Sequence, residues 1–131
     1  MLAAKIIAKK LKSDLPICIL APVGNQTDWQ QEVQKTLGHD FHVAIIGDLK
    51  TQDKQFKKIS EAKKNDVFIM TPNLLKNHAK NLELFKPSLI LFDECHLYLA
   101  SNSETALAVS KFAKSSKFSI ALSQDAKLIF N

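Results

Sequence analysis

The residues best suited to chemistry are two adjacent acids that follow a short apolar run. Residues 89–92 (LILF) predict a buried strand, Asp93 and Glu94 come directly after it, and His96 lies two residues further on. In this arrangement the first carboxylate can hold Mg²⁺, usually through water, while the second orients and deprotonates an attacking water molecule. The histidine is placed to respond to the same site. The alternative interpretation is a strand that ends in a solvated acidic turn.

The glycine and arginine content limits how the chain could hold a nucleotide. None of its three glycines is followed by Lys-Ser or Lys-Thr, so the 131 residues contain no intact P-loop, the turn whose N–H groups surround phosphates. All eighteen basic residues are lysines, which excludes an arginine finger supplied by this sequence. The net charge of +5 suits a polyanionic partner, although a lysine excess is also typical of a solvated surface.

The acids must be positioned by the elements around them, and hydrophobic periodicity predicts those elements. Continuous apolar runs predict five strands buried on both faces, at 17–21, 41–46, 67–70, 89–92 and 118–122. Segments of helical period lie between them, near 2–12, 26–37, 51–63, 73–84 and 103–115. Thr71, Ser101 and Ser103 are candidate helix N-caps, and Gly38 is expected to end the second helix. The alternation predicts one α/β domain over residues 1–131, layered around a mostly parallel sheet of about five strands.

Ligands of such sheets bind beyond the carboxyl ends of the strands. In this sequence those ends are followed by residues 21–24, 71–73, 93–96 and 123–125. The acidic pair therefore shares one edge of the sheet with a proline-glycine segment and a threonine-proline segment.

Residues 93–96 spell DECH, and the sequence around them resembles the first motor lobe of superfamily-two helicases, whose hydrolysis motif is written DEAD, DEAH or DECH. The resemblance covers nearly the whole chain and is closest to the Swi/Snf-type double-stranded DNA translocases. Their second motif has a proline at a strand end, a tryptophan seven residues on and a glutamate three beyond, and Pro22, Trp29 and Glu32 keep that spacing. Taken alone, Trp29 on a helix is more typical of a core or half-buried aromatic residue.

Two further segments complete the resemblance. Residues 66–71, followed by two leucines, are similar to the family's next DNA-side motif. Residues 121–126 are similar to a worn form of its LTGTP…N segment, which couples hydrolysis to movement of the lobes. Here Gln124 departs from the family pattern, because the expected glycine is missing.

The resemblance implies a RecA-like, P-loop NTPase-type fold and a role for each motif. Asp93 would hold Mg²⁺ through water, Glu94 would activate the attacking water, and His96 would link the site to the other motifs. The implied nucleic-acid side carries Pro22, Gly24, Thr71 and Pro72, and the implied coupling motif carries Ser123, Gln124 and Asp125. ATP and Mg²⁺ would be the cofactors of the complete motor, and double-stranded DNA and a second helicase lobe would be its partners.

By the same resemblance, Met1 aligns just after the family's P-loop, so we expect a partial lobe whose sheet is truncated before its first strand. Such a fragment would be inactive alone and would bind no cofactor by itself. The P-loop strand is internal in RecA-like sheets, so we expect the exposed edge to be covered by the terminal segment or by self-association. The alternatives are a degenerate, non-catalytic RecA-like module that binds DNA or a protein, and an unrelated α/β domain with an accidental DECH.

The cysteines and the lengths of the apolar runs indicate where in the cell the protein is located. Cys18 and Cys95 lie in or beside apolar runs and have no C-x-x-C spacing, which is typical of reduced thiols in an intracellular protein. No apolar run reaches the length of a membrane span, and the N-terminal stretch has no uninterrupted apolar region like that of a signal peptide. We therefore expect an intracellular protein, in the cytoplasm, nucleoid or nucleus, with no membrane partner.

Overall fold

The computed structural model describes residues 16–38, 40–47, 57–62, 65–80, 82, 85–94, 103–116, 118–122 and 128–130. The strands in this part of the chain are β1 (Ile17–Leu20), β2 (His42–Ile45), β3 (Asp66–Met70), β4 (Leu89–Phe92), β5 (Phe118–Leu122) and β6 (Leu128–Phe130). The helices are α1 (Val23–Leu37), α2 (Pro72–Asn77) and α3 (Glu104–Ala113), with a further helical turn at 57–60.

All five predicted strands are confirmed, each to within one residue at either end. The expected burial on both faces is wrong for β2, because this strand lies at the edge of the sheet and its His42 is exposed. The helix predicted near 26–37 begins earlier, at Val23, with Pro22 as its N-cap residue. The helix predicted over 73–84 is too long: α2 ends at Asn77, and His78 leaves the helical conformation with φ −127°. Asparagine and histidine are weak helix formers, which explains an end at this point. The helix predicted near 2–12 lies outside the described residues, as does most of the one near 51–63.

The sheet is parallel except at one edge. Its strand order is β2-β3-β1-β4-β5-β6, in which β6 alone pairs antiparallel, with β5. The parallel sheet of about five strands is therefore confirmed. The sixth strand was not predicted, and it places the C-terminal segment along the outer side of β5.

Apolar side chains cover the sheet on both faces, since successive residues of a strand point to opposite sides. On one face Val33, Trp29 and Leu37 of α1 pack over Ile19 and Leu91. On the other face α2 and α3 contribute the residues that pack over Leu20, Met70, Ile90 and Phe92, namely Leu74, Leu75, Val109 and Phe112. The described residues thus form three layers, with α1 on one side of the sheet and α2 and α3 on the other.

Helix ends follow the predicted chemistry where they are described. The Thr71 hydroxyl accepts from the Leu74 N–H at 3.3 Å, and the Ser103 hydroxyl accepts from the Ala106 N–H at 3.1 Å, so both residues are N-caps. Gly38 ends α1 in a left-handed conformation with φ 87°, which glycine adopts without a steric cost. Ser101 lies outside the described residues. None of the helices in the described part of the chain has the length and apolarity needed to cross a bilayer.

Cys18 tests the packing of β1. Its strand lies between β3 and β4, and its side chain is fully buried. This burial raises the pKa of the thiol far above the ordinary range. In a Cys95→Ser background we expect Cys18 to react with a disulfide reagent at least about 100-fold more slowly than an unfolded thiol, because reaction requires an opening of the core. Adding Ser110→Cys on the exposed side of α3 supplies a fast-reacting control. Equal rates at the two thiols would contradict this packing.

Candidate functional site

The candidate site lies beyond the ends of two neighbouring strands whose following helices pack on opposite faces of the sheet. From β1 the chain continues through α1 on one face of the sheet toward β2, and from β4 it continues through α3 on the other face toward β5. Because the helices diverge, this is the switch point at which open α/β sheets bind ligands, in a crevice beyond the carboxyl ends of the two strands. Pro22 follows β1 and Asp93 follows β4, so both predicted motifs border this crevice.

The Asp93 carboxylate is fixed by two side chains of α1. Its Oδ2 atom accepts a hydrogen bond from the Trp29 indole N–H at 2.8 Å and another from the Asn25 amide at 3.0 Å. The Asp93 backbone N–H also donates to the Leu20 carbonyl at 2.8 Å, which continues the pairing of β4 with β1. Side chain and backbone are therefore both attached to the β1–α1 unit.

The sequence of α1 explains why both donors reach the same oxygen. Asn25 and Trp29 are four residues apart, so they lie on one face of the helix, one turn above the other. The buried Gln26 side chain donates to the Ala21 carbonyl at 3.3 Å and holds the first turn of α1 against the end of β1. The helix therefore enters at an angle that directs its first two turns toward Asp93.

Glu94 has an unusual backbone. Its φ is +56°, in the left-handed region, and among the described non-glycine residues it alone has a positive φ. An L-residue pays about 1–2 kcal/mol to adopt this conformation. Such strain is concentrated at functional sites, where the surrounding structure maintains it. Glu94 lies in the turn that directly follows the last residue of β4.

The residues predicted for the nucleic-acid side lie at two helix starts along the same sheet edge. Pro22 and Gly24 begin α1 after β1, and Thr71 and Pro72 begin α2 after the adjacent β3. A Cβ atom added at Gly24 would meet nothing within 4 Å, so the fold itself does not require glycine there. Thr71 and Pro72 also have structural roles, since one caps α2 and the other occupies its first turn.

Val23 and Gly24 are both exposed at the start of α1. Val23 is 75% exposed, and no side chain caps the first turn of this helix. The predicted site residues His96, Ser123, Gln124 and Asp125 lie outside the described residues. The structure therefore brings Asp93 and Glu94 together with Pro22 and Gly24 around one crevice, with Thr71 and Pro72 one strand further along.

The donor set fits a magnesium ion that is only partly held by protein. Within the described residues no group of three or more His, Cys, Asp and Glu side chains could enclose a metal ion. Mg²⁺ in phosphate chemistry is held by one or two carboxylates together with water and substrate phosphates, so a closed protein site is not required. A carboxylate with two oxygens can accept hydrogen bonds on one and still contribute to the shell of an ion through water.

Sequence reasoning missed the contact that orients the site. Trp29 was considered either as a family motif residue or as a core aromatic residue, and Asn25 was not singled out. The sequence does carry a signal for this contact: Asn25 and Trp29 are two N–H donors spaced four residues apart on α1, the helix that follows β1. The structure shows that the Trp29 ring packs on the sheet and that its indole N–H binds Asp93.

Removing the acceptor tests the anchor. Asp93→Ala leaves the indole N–H and the Asn25 amide without their carboxylate, and we expect the free energy of unfolding to fall by about 1–3 kcal/mol, measured by urea denaturation. Asp40→Ala, in an exposed turn, is the matched control and should change stability by less than about 0.5 kcal/mol. A loss at Asp93 no larger than this would show that the anchor does not hold in solution.

The strain at Glu94 predicts an inverted preference for glycine. Glu94→Gly should be more stable than Glu94→Ala by about 1 kcal/mol, because only glycine adopts a positive φ without cost. At the exposed mid-helix residue Gln31 the same pair should differ by about 1 kcal/mol in the opposite sense. Thermal unfolding of the four variants measures the stability difference between glycine and alanine at each position. A glycine variant less stable than the alanine variant at both positions would contradict the left-handed backbone of Glu94.

Known proteins give a consistent comparison. No curated protein sequence matches the chain. Among solved structures, the Sulfolobus solfataricus SWI2/SNF2 ATPase core in complex with dsDNA superposes with a TM-score of 0.70 at 22% identity, covering 93% of this chain and 24% of that one. The Pyrococcus furiosus Hef helicase domain superposes with a TM-score of 0.69 at 23% identity, covering 92% of this chain and 26% of that one. The chain thus spans about a quarter of each structure and has the fold of a RecA-like helicase lobe.

The sequence match extends over the same region. The model of the SNF2-related domain matches residues 2–122, which include β1 to β5 and all three described helices. This chain therefore belongs to the SNF2-related domain family and is part of an SNF2-like helicase domain.

Proposed function

We propose that the chain is part of the first RecA-like lobe of an ATP-dependent DNA translocase and carries its hydrolysis strand. The observation that supports this most is the carboxylate of Asp93, held in one orientation by two N–H donors at the crevice between β1 and β4. A solvated acidic turn needs no such anchor, because water satisfies its carboxylates. The family membership supplies the reaction class, since SNF2 helicase domains are ATP-driven motors.

In the complete motor Asp93 would hold Mg²⁺ through water, and the ion would neutralise charge on the nucleotide phosphates. Glu94 is the next residue, so it would be the carboxylate closest in the chain to the one that holds the metal. Its role would be to orient the attacking water and to accept the proton of that water as the bond to phosphorus forms. His96 would then relay the state of this site to the coupling motif at Ser123, Gln124 and Asp125.

DNA is the proposed partner of the edge formed by the starts of α1 and α2. One of the structural neighbours is described as a complex with dsDNA, and the edge of this chain presents Gly24 and the exposed Val23 without steric cover. The charge of +5 favours a polyanion. Because every basic residue is lysine, the contacts would be point charges to phosphates and would carry little base specificity.

The 131 residues alone should hydrolyse no ATP. They contain no P-loop to hold the triphosphate and no arginine to stabilise the transferred phosphoryl group. Hydrolysis by the proposed motor would require a phosphate loop and a second lobe, and closure of the lobes would couple it to stepping along DNA. An ATPase assay of the isolated chain, with and without DNA, measures this, and DNA-stimulated hydrolysis by the 131 residues would contradict it.

Glu94→Gln in the complete motor tests the proposed function. The amide cannot accept the proton, so we expect kcat to fall by at least about 100-fold while ATP and DNA still bind. Glu104→Gln, at the exposed start of α3, is the matched control and should leave kcat unchanged. Unchanged DNA-stimulated hydrolysis in Glu94→Gln would contradict the proposal. A complete protein that binds DNA but hydrolyses no ATP would instead support the non-catalytic RecA-like module.

A further inference from the structure

The Asp93 carboxylate is bound by a helix that is distant in the chain. Its Oδ2 atom accepts hydrogen bonds from Trp29 and Asn25 of α1, which are separated from it by 64 and 68 residues. The two donors differ in kind. Trp29 is rigid and half-buried against the sheet, whereas Asn25 is a short polar residue in the first turns of the helix.

Two donors on one oxygen constrain the carboxylate more than either would alone. A single hydrogen bond lets the group pivot about the shared atom, whereas two bonds from different directions fix the plane in which the other oxygen must lie. Both bonds are charge-assisted when Asp93 is ionised, and bonds of this kind are shorter and stronger than neutral ones. Residues that bind the far side of a metal-holding group commonly control how well that group meets the metal.

We propose that Trp29 and Asn25 are positioning residues for Asp93, which set the orientation of its carboxylate toward the metal–nucleotide complex. The inference rests on the proposed function. Neither residue touches substrate or metal in this role: each acts through the Asp93 Oδ2 atom. The tryptophan of the family's proline–tryptophan–glutamate motif therefore acts here on the hydrolysis site, although its motif begins on the nucleic-acid side.

The helix adds a mechanical consequence. Asn25 and Trp29 belong to the same rigid element as Pro22 and Gly24, and Gln26 fixes that element to the end of β1. A shift of the start of α1 therefore moves both donors, and with them the Asp93 carboxylate. The metal-holding group and the proposed nucleic-acid side are thus connected by one helix and two hydrogen bonds.

The test measures metal binding rather than turnover. In the complete motor, Mn²⁺ replaces Mg²⁺, and its affinity in the presence of a non-hydrolysable ATP analogue is followed by electron paramagnetic resonance. Trp29→Phe removes the N–H donor and keeps the ring, and Asn25→Ala removes the other donor. We expect each to weaken Mn²⁺ binding about 10-fold. Gln31→Ala, exposed on the same helix, is the control and should bind Mn²⁺ as the unmodified protein does.

The Asp93→Asn background separates positioning from general damage. If both donors act through Asp93, Trp29→Phe should weaken Mn²⁺ binding no further once Asp93 is already changed. Equal Mn²⁺ affinity in Trp29→Phe, Asn25→Ala and the unmodified protein, with weakened binding in Asp93→Asn, would overturn the positioning role and leave the proposed function intact. An additive loss in the double variant would overturn it as well. Unchanged Mn²⁺ binding in Asp93→Asn would overturn the proposed function itself.

Discussion

The arrangement of the site depends on one interaction, the hydrogen bonds that join the carboxylate of Asp93 to α1. Without them β4 would present its acids at the end of a strand with no fixed direction, because both carboxylates lie beyond the last ladder residue. With them, β4, which the acids follow, and α1, which follows the neighbouring strand β1, form one unit. The parallel pairing of β1 with β4 makes this possible, since it brings Leu20 and Phe92 level and so aligns the two exits.

The order of the strands determines on which face each helix lies. A helix that crosses from β1 to β2 must lie on one face, and one that crosses from β4 to β5 on the other, if each crossover is right-handed. The crevice between them is therefore a product of topology, and its lining is a product of sequence: Pro22 on one side and Asp93 on the other. Both faces of β1 are buried under helices, which is why its residues are apolar without alternation.

Much of the fold could be predicted from the sequence because buried parallel strands have a local signature. The runs that became β1, β3 and β4 are continuous in apolar residues, those of β2 and β5 contain one polar residue each, and the caps at Thr71 and Ser103 are chemical in origin. The strand β6 could not be predicted, since three residues carry no period and its pairing depends on the edge that β5 leaves open. In the site, the acids were visible from their types. Their orientation was not, because it depends on an amide and an indole more than sixty residues away in the chain.

The two adjacent acids are held in place by different means. Asp93 is held by donors on an adjacent helix, so its position is set by tertiary contacts and costs the backbone nothing. Glu94 has the opposite balance: its backbone is strained at φ +56° in the turn directly after β4. A metal-holding group must keep a fixed distance, whereas a base must reach a water molecule at a different point. Under the proposed function, adjacent carboxylates would serve both roles, one anchored by a neighbouring helix and the next held in a strained turn.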